Sequence, residues 1–205
     1  QKAEFLVVDA NPPLESLATA VHRAHEAGIN VFLEPTSINK AAKIGDHDDI
    51  LSHVTHASPN VDELTALVYG SYGWYAHEVE DGLLPNEDEP FLKRVCTMCL
   101  NKMNPKEAHL IVTRGERGVL YASKAPDGQC QFQQFDIRPE HQNLVVLNAT
   151  GAGDTLAGAL LHALVQEGAS MEDAIRDGMD AAVLSLQCPD RAVPPSLSSN
   201  TSDES

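Results

Sequence analysis

The sequence predicts an α/β protein built on a mainly parallel sheet that ends in an antiparallel hairpin edge, and three observations predict it. Short apolar runs alternate with stretches of helical periodicity through residue 113. The first two runs are joined by a helix-length connection, the mark of a parallel βαβ unit. Three later runs lie close together with only turn residues between them, which favours antiparallel pairing.

The elements follow in order. Phe5-Leu6-Val7-Val8 is an apolar run stopped by Asp9-Ala10-Asn11-Pro12-Pro13, and Leu14, Leu17, Ala18, Val21 and Ala24 then recur at helical spacing up to Gly28. Val31-Phe32-Leu33 follows at once, so the first 34 residues read as βαβ with a right-handed crossover. Thr36 to Asp49 is polar, with a short helix over Asn39 to Ile44, and Val54-Thr55-His56-Ala57 reads as the next strand. Ser58-Pro59-Asn60 leads into a helix with Val61, Leu64, Leu67 and Val68 on its apolar side. Gly70 to Pro90, with glycines, prolines and the acidic Glu87-Asp88-Glu89, reads as a mobile surface loop. Phe91 to Met103 is helical by periodicity, and His109 to Thr113 is a buried strand stopped by Gly115 and Gly118. Val119 to Ser123, Gln131 to Phe135 and Leu144 to Leu147 read as strands, separated by Pro126-Asp127-Gly128 and Pro139. Two helices, about Asp154 to Glu167 and Met171 to Gln187, close the folded part at residue 188, and a Pro- and Ser-rich tail over 189–205 is expected to be disordered.

Composition limits the function classes. With 205 residues and 42% hydrophobic content, the chain can bury one substantial core. Fourteen basic against 30 acidic residues give a net charge of −16, which repels nucleic acids and anionic membranes. A small phosphate ligand remains compatible, because helix N-termini and local cations hold it against the global field. Four cysteines are too few for a disulfide scaffold, and neither a signal peptide nor an apolar membrane span is visible, so a soluble protein of the reducing cytoplasm is expected. Cys96-x-x-Cys99 lies inside a helix without a second ligand pair, which disfavours zinc; His22/His25 and His53/His56 read as scattered polar histidines. A strand only four residues in leads to the expectation that Gln1 is not a natural start.

The stretch richest in chemistry is Asn148-Ala149-Thr150-Gly151-Ala152-Gly153-Asp154-Thr155, a glycine turn opening directly into a helix. Backbone N–H groups of Gly151, Ala152 and Gly153, aligned with the helix dipole, would form an anion hole for a transferring phosphoryl group. Asp154 stands where a carboxylate can take a proton from an attacking hydroxyl. The same residues also make an ordinary tight turn with an acidic cap. The pattern is not a Walker loop, since no Lys follows the second glycine, and it is not a dinucleotide fingerprint, since it lies near the C-terminus and lacks the third glycine.

Thr150-Gly151-Ala152-Gly153-Asp154-Thr155 resembles the second signature of the pfkB, or ribokinase-like, family of carbohydrate kinases. Two further stretches match that family in the same order. Ser58-Pro59-Asn60-Val61-Asp62-Glu63 is similar to its Asn-x-x-Glu element, and Val112-Thr113-Arg114-Gly115-Glu116-Arg117-Gly118 to its Thr-x-Gly-x-x-Gly nucleotide loop. The resemblance implies a three-layer α/β/α sandwich and ATP-dependent transfer of phosphate to a sugar or nucleoside hydroxyl. It implies Asp154 as base, Gly151, Ala152 and Gly153 as the anion hole, and Asn60, Thr113, Gly115, Gly118 and Thr150 as nucleotide contacts. It also implies Glu63 as an organiser of hydrated Mg²⁺. Each motif has a bland reading as well: Asn60 and Glu63 fit a capping box, and Gly118 fits a hairpin turn. Asp9-Ala10-Asn11 and Glu34-Pro35-Thr36-Ser37-Ile38-Asn39-Lys40-Ala41-Ala42-Lys43-Ile44 look closest to the pseudouridine kinase branch, with Lys40 and Lys43 either phosphate ligands or solvated cations.

The resemblance covers only the later two-thirds or so of a typical member. The N-terminal segment that in relatives bears the first glycine signature, much of the sugar pocket and the β-sheet lid is absent, so impaired catalysis and an exposed sheet edge prone to self-association are expected. A non-catalytic nucleotide-binding or interaction module is the alternative. Asn148-Ala149 stands where many relatives have Asp-Thr, in a region associated with a monovalent cation, so potassium activation is left open.

Overall fold

The computed structural model describes residues 3–80, 89–142 and 144–189. The expected tail, apart from Pro189, and the acidic part of the 70–90 segment up to Asp88 lie outside the described residues. The chain divides into two compact units: residues 1–114 with 119–134, and residues 115–118 with 135–205.

The first unit is the sheet and its helices. Strands β1 (Phe5–Asp9), β2 (Asn30–Glu34), β3 (His56–Ala57) and β4 (Ala108–Thr113) pair in parallel, and β5 (Val119–Lys124) pairs antiparallel to β4. With β6 (Cys130–Phe135) at the far edge, the strand order is sequential, β1 to β6. Helices α1 (Leu14–Glu26), α2 (Ile38–Gly45), α3 (Asp48–Leu51), α4 (Val61–Glu80) and α5 (Glu89–Lys102) connect the strands. Alternation along the strands sets the core. Val31 and Leu33 of β2, Leu110 and Val112 of β4, and Leu120 and Ala122 of β5 bury with Leu17, Ile44, Leu64 and Val95 in one apolar cluster. Phe32, His56 and Ile111 occupy the alternate positions and are also buried. Gly45 lets α2 approach α4 closely, since a Cβ there would meet the Leu67 carbonyl oxygen at 2.5 Å.

The second unit contains α6 (Ala152–His162), which continues as a π-helical turn over Ala163–Glu167, and α7 (Met171–Leu186). Ser170 caps α7 by accepting the Asp173 N–H at 3.2 Å. Gly178 keeps the helix pair tight: an added Cβ would lie 2.8 Å from the Leu156 carbonyl oxygen.

Three expectations are corrected. Residues 71–80 are helical, not loop: α4 runs through a kink at Gly70, whose φ of 67° only glycine adopts freely, and the Asp46 carboxylate accepts the Ser71 N–H at 3.1 Å, restarting the helix. Leu144 to Leu147 is not a strand. Its Leu147 N–H donates to the Leu186 carbonyl at the end of α7, so no sheet partner is engaged, and Val145 is 73% exposed. The third strand is short, His56–Ala57, with Val54 and Thr55 entering it as coil.

Candidate functional site

In the first unit the motif residues collect where β1, β2, β3 and β4 end, the edge at which open parallel sheets gather ligands. Asn60 and Thr113 form a parallel bridge, and the Thr113 N–H donates to the Pro59 carbonyl at 3.0 Å. Asn60 opens α4 through a reciprocal cap: the Glu63 N–H donates to Asn60 Oδ1 at 2.8 Å, and the Asn60 N–H donates to Glu63 Oε2 at 3.0 Å. The capping-box reading is thus realised. One Glu63 oxygen is taken by the backbone. The residue is 7% exposed, and burial raises its pKa against the opposing pull of that hydrogen bond.

Beside this pair stands a polar group that sequence reading noticed only as stretches. Ser58 Oγ donates to Glu34 Oε2. Asp9 accepts both the backbone N–H and the side-chain amide of Asn11, at 2.9 and 2.7 Å, and these bonds lower its pKa. Lys40 Nζ donates to Asn11 Oδ1, and with Lys43 it borders a cleft of about 320 Å³ between the β1–α1 turn and α2. Thr36 has φ 71°, the one non-glycine positive φ among the described residues. That conformation costs about 1–2 kcal/mol and is held by the Ala10 N–H donating to Thr36 Oγ1 at 3.3 Å. No sequence signal marks a strained threonine. Pairing of β1 with β2 brings it beside Ala10.

In the second unit, Gly151 precedes α6 with φ 79°, a left-handed value that excludes most side chains. Asn148 Oδ1 accepts the Thr150 N–H at 2.9 Å, and the Gly151 carbonyl accepts both the N–H and the hydroxyl of Thr155 at 2.9 and 2.8 Å. The turn is thereby fixed. No side chain caps α6, and Gly153 and Asp154 are exposed, with nothing within 4 Å of a Cβ placed on Gly153. Gly115 and Gly118 also belong to this unit, with φ 55° and 73°. Gly118 is obligatory on space as well: a Cβ would meet the Phe135 carbonyl oxygen at 2.1 Å.

The structure therefore unites Asn60, Glu63 and Thr113 in one unit, and Thr150, Gly151, Ala152, Gly153 and Asp154 at one helix start in the other. The histidines read as scattered are also drawn together. His22, His25 and His53 meet on the surface, and His56 stacks on His109 with ring centroids 4.5 Å apart.

Comparison with known proteins gives the family. The model for pfkB family carbohydrate kinases matches residues 1–196. A pseudouridine kinase of Arabidopsis thaliana is 31% identical over 125 residues, 60% of this chain and 32% of that one. A ribokinase of Dictyostelium discoideum is 28% identical over 103 residues, 49% and 30% of the two chains. Among solved structures, Arabidopsis thaliana ribokinase complexed with ribose and ATP superposes with TM-score 0.71 at 22% identity, covering 94% of this chain and 53% of that one. Anopheles gambiae adenosine kinase gives 0.68 at 19% identity, covering 91% and 51%. The chain spans about half the length of these solved relatives, and the likeness to them shows the fold, ribokinase-like α/β as the sequence predicts. With a family match over nearly all of its length, the chain belongs to the pfkB family of carbohydrate kinases.

Proposed function

We propose that this chain carries the nucleotide-binding and phosphoryl-transfer part of an ATP-dependent kinase whose acceptor is a sugar or nucleoside hydroxyl, with pseudouridine, phosphorylated at its ribose 5′-hydroxyl, as the favoured acceptor. The observation that carries the reading is the start of α6, where a left-handed Gly151 and an open Gly153 leave helix-end amides beside an exposed Asp154. Asp154 accepts the acceptor's hydroxyl proton, the freed oxygen bonds to the γ-phosphorus, and the bond from that phosphorus to the bridging oxygen breaks, releasing ADP. Amides of Gly151, Ala152 and Gly153 take up the charge that develops on the γ-oxygens. Thr150 steadies the turn. Thr113, which has Asn60 beside it, and Gly115 and Gly118 are assigned to the nucleotide by their match to the family's Thr-x-Gly-x-x-Gly motif.

Magnesium fits the donors present. Asn60 and Glu63 offer oxygen atoms only, the hard set that suits a hydrated Mg²⁺, and Glu63 keeps one oxygen outside the cap. When bound, the ion neutralises phosphate charge. The pseudouridine assignment rests on the curated relative at 31% identity, and the half-length coverage favours a second reading, a nucleotide-binding module without turnover. Four free cysteines, two of them buried with burial raising their pKa values, agree with a reducing, cytoplasmic setting. Among the described residues no helix is long and apolar enough to cross a membrane. β1 ends the sheet with Val7 exposed, which supports self-association through that edge.

Calorimetry of this chain with ATP and Mg²⁺, alone and with pseudouridine, tests the reading, together with ADP release by the full-length protein. Nucleotide binding and pseudouridine-dependent ADP release are expected. Nucleotide binding with no release for any sugar or nucleoside establishes the module instead.

A further inference from the structure

One residue of the first unit carries strain that its packing does not explain. The Ser37 N–H donates to the Pro35 carbonyl, two residues back, at 2.8 Å, and Thr36 between them has φ 71°. This is the γ-turn of the rarer, strained hand, whose central φ lies at about +75°. A β-branched residue is the least suited to it. Thr36 is exposed, so no burial offsets the strain. Strain of this kind persists only where the surroundings over-determine the backbone, and it gathers at functional sites.

The threonine ties the ends of two strands together. Its hydroxyl donates to the Glu34 carbonyl and accepts the Ala10 N–H, each at 3.3 Å, and the same N–H reaches the Glu34 carbonyl at 3.2 Å. Ala10 is thereby fixed to the end of β2, and Asn11 follows it. The turn also sends the chain at once into α2, whose N-cap is Ser37, and from the first turn of that helix Lys40 Nζ donates to Asn11 Oδ1. Asn11 donates in its turn to Asp9, so Lys40, Asn11 and Asp9 form one chain of hydrogen bonds. Asn11 and Lys40 line the cleft between the β1–α1 turn and α2, against apolar walls from Pro12, Pro13, Leu14 and Ile44. An ammonium group has three N–H donors, and Asn11 engages one of them.

The strand order sets this cleft apart from the nucleotide motif. β1 and β4 stand three strand spacings apart, about 14 Å, and being parallel they deliver Ala10 and Thr113 to the same edge of the sheet. Two places on one open edge are what a transfer between two substrates requires. We infer, resting on the kinase reading above, that Thr36 is a positioning residue for the acceptor: its strained turn holds Asn11 and Lys40 at the spacing that receives the carbonyl or hydroxyl oxygens of a neutral sugar or nucleoside. Thr36 does not line the cleft and acts through these two residues.

The test is acceptor kinetics of the full-length protein, read as ADP release with pseudouridine or whichever sugar or nucleoside it turns over, beside ATP affinity by calorimetry. Thr36→Val keeps the shape and removes the hydroxyl; it should raise the acceptor KM about tenfold, with kcat and ATP affinity within about twofold, the pattern of lost ground-state binding. Thr36→Ser restores the hydroxyl and should bring KM back to within about twofold of the wild type. Thr36→Gly separates the tie from any folding defect, because φ 71° does not strain a glycine, and it should still show the raised KM. In a Lys40→Met background Thr36→Val should add less than about twofold, since the threonine acts through that lysine. An unchanged KM in Thr36→Val, a Thr36→Ser that stays impaired, full additivity with Lys40→Met, or ATP affinity falling in step with KM overturns the positioning role while wild-type turnover stands. No ADP release by the wild type with any sugar or nucleoside overturns the kinase reading itself, and this role with it.

Discussion

Two helices in this chain start in opposite ways. α4 begins with an exposed Asn60 and a buried Glu63 satisfying each other's backbone amides. α6 begins with a left-handed glycine, no side-chain cap, and an exposed acid in its first turn. A helix start that completes its own hydrogen bonds contributes stability first, and its remaining oxygen serves a ligand second. A start held rigid from behind, by Thr155 on the Gly151 carbonyl, with no side chain capping its amides, has the form of an anion site. Changes at α6 should therefore cost mainly turnover, and removal of the α4 cap mainly stability.

The sharpest way to break that contrast is Asp154→Asn. In the full-length protein it should lower kcat by about 10³-fold, within the general-base range of 10²–10⁴. Nucleotide affinity and the urea midpoint should barely move, because the side chain is exposed. Steady-state ADP release and calorimetry measure both. A stability loss as large as the activity loss would make Asp154 a structural cap like Glu63.

Gly151→Ala comes next. Holding φ at 79° with a side chain costs about 1–2 kcal/mol, and any relaxation of the turn tilts the following amides. About 10²-fold in kcat is expected, the scale of losing one oxyanion donor. At α4, Asn60→Ala removes the cap and should cost about 1 kcal/mol by urea denaturation. If Asn60→Ala is neutral to folding and damaging to turnover, the two helix starts do not differ as described.

Much of this was legible in the sequence because local chemistry decided it. Gly151 and Gly153 before an apolar helical period, Asn60 three residues before Glu63, and alternating apolar runs each carry their meaning within a few residues. The failures share a cause in distant partners. Gly70 and the residues after it read as loop because the group that restarts the helix, Asp46, lies 25 positions upstream of Ser71. Val145, Val146 and Leu147 have strand composition, yet their segment is held by a helix end and stays exposed. His56 and His109 could not be paired by spacing, because only the β3–β4 register makes them neighbours.

Glu63→Gln is the smallest and most discriminating change. Burial raises the Glu63 pKa in the folded protein above its ordinary 4.5, so the stability attached to its protonated form is complete below that value and is lost as pH rises through the folded pKa. Glutamine stays neutral, and its amide oxygen still accepts the Asn60 N–H, so the cap survives. The variant should match the wild type near pH 4 and become the more stable of the two toward pH 7.5, by urea midpoints. Added Mg²⁺ should narrow that gap, since an ion beside Glu63 favours the carboxylate of the wild type and finds none in the variant. A gap that stays fixed in Mg²⁺ confines Glu63 to its capping role, and one that widens toward acid removes burial as the cause of its shift.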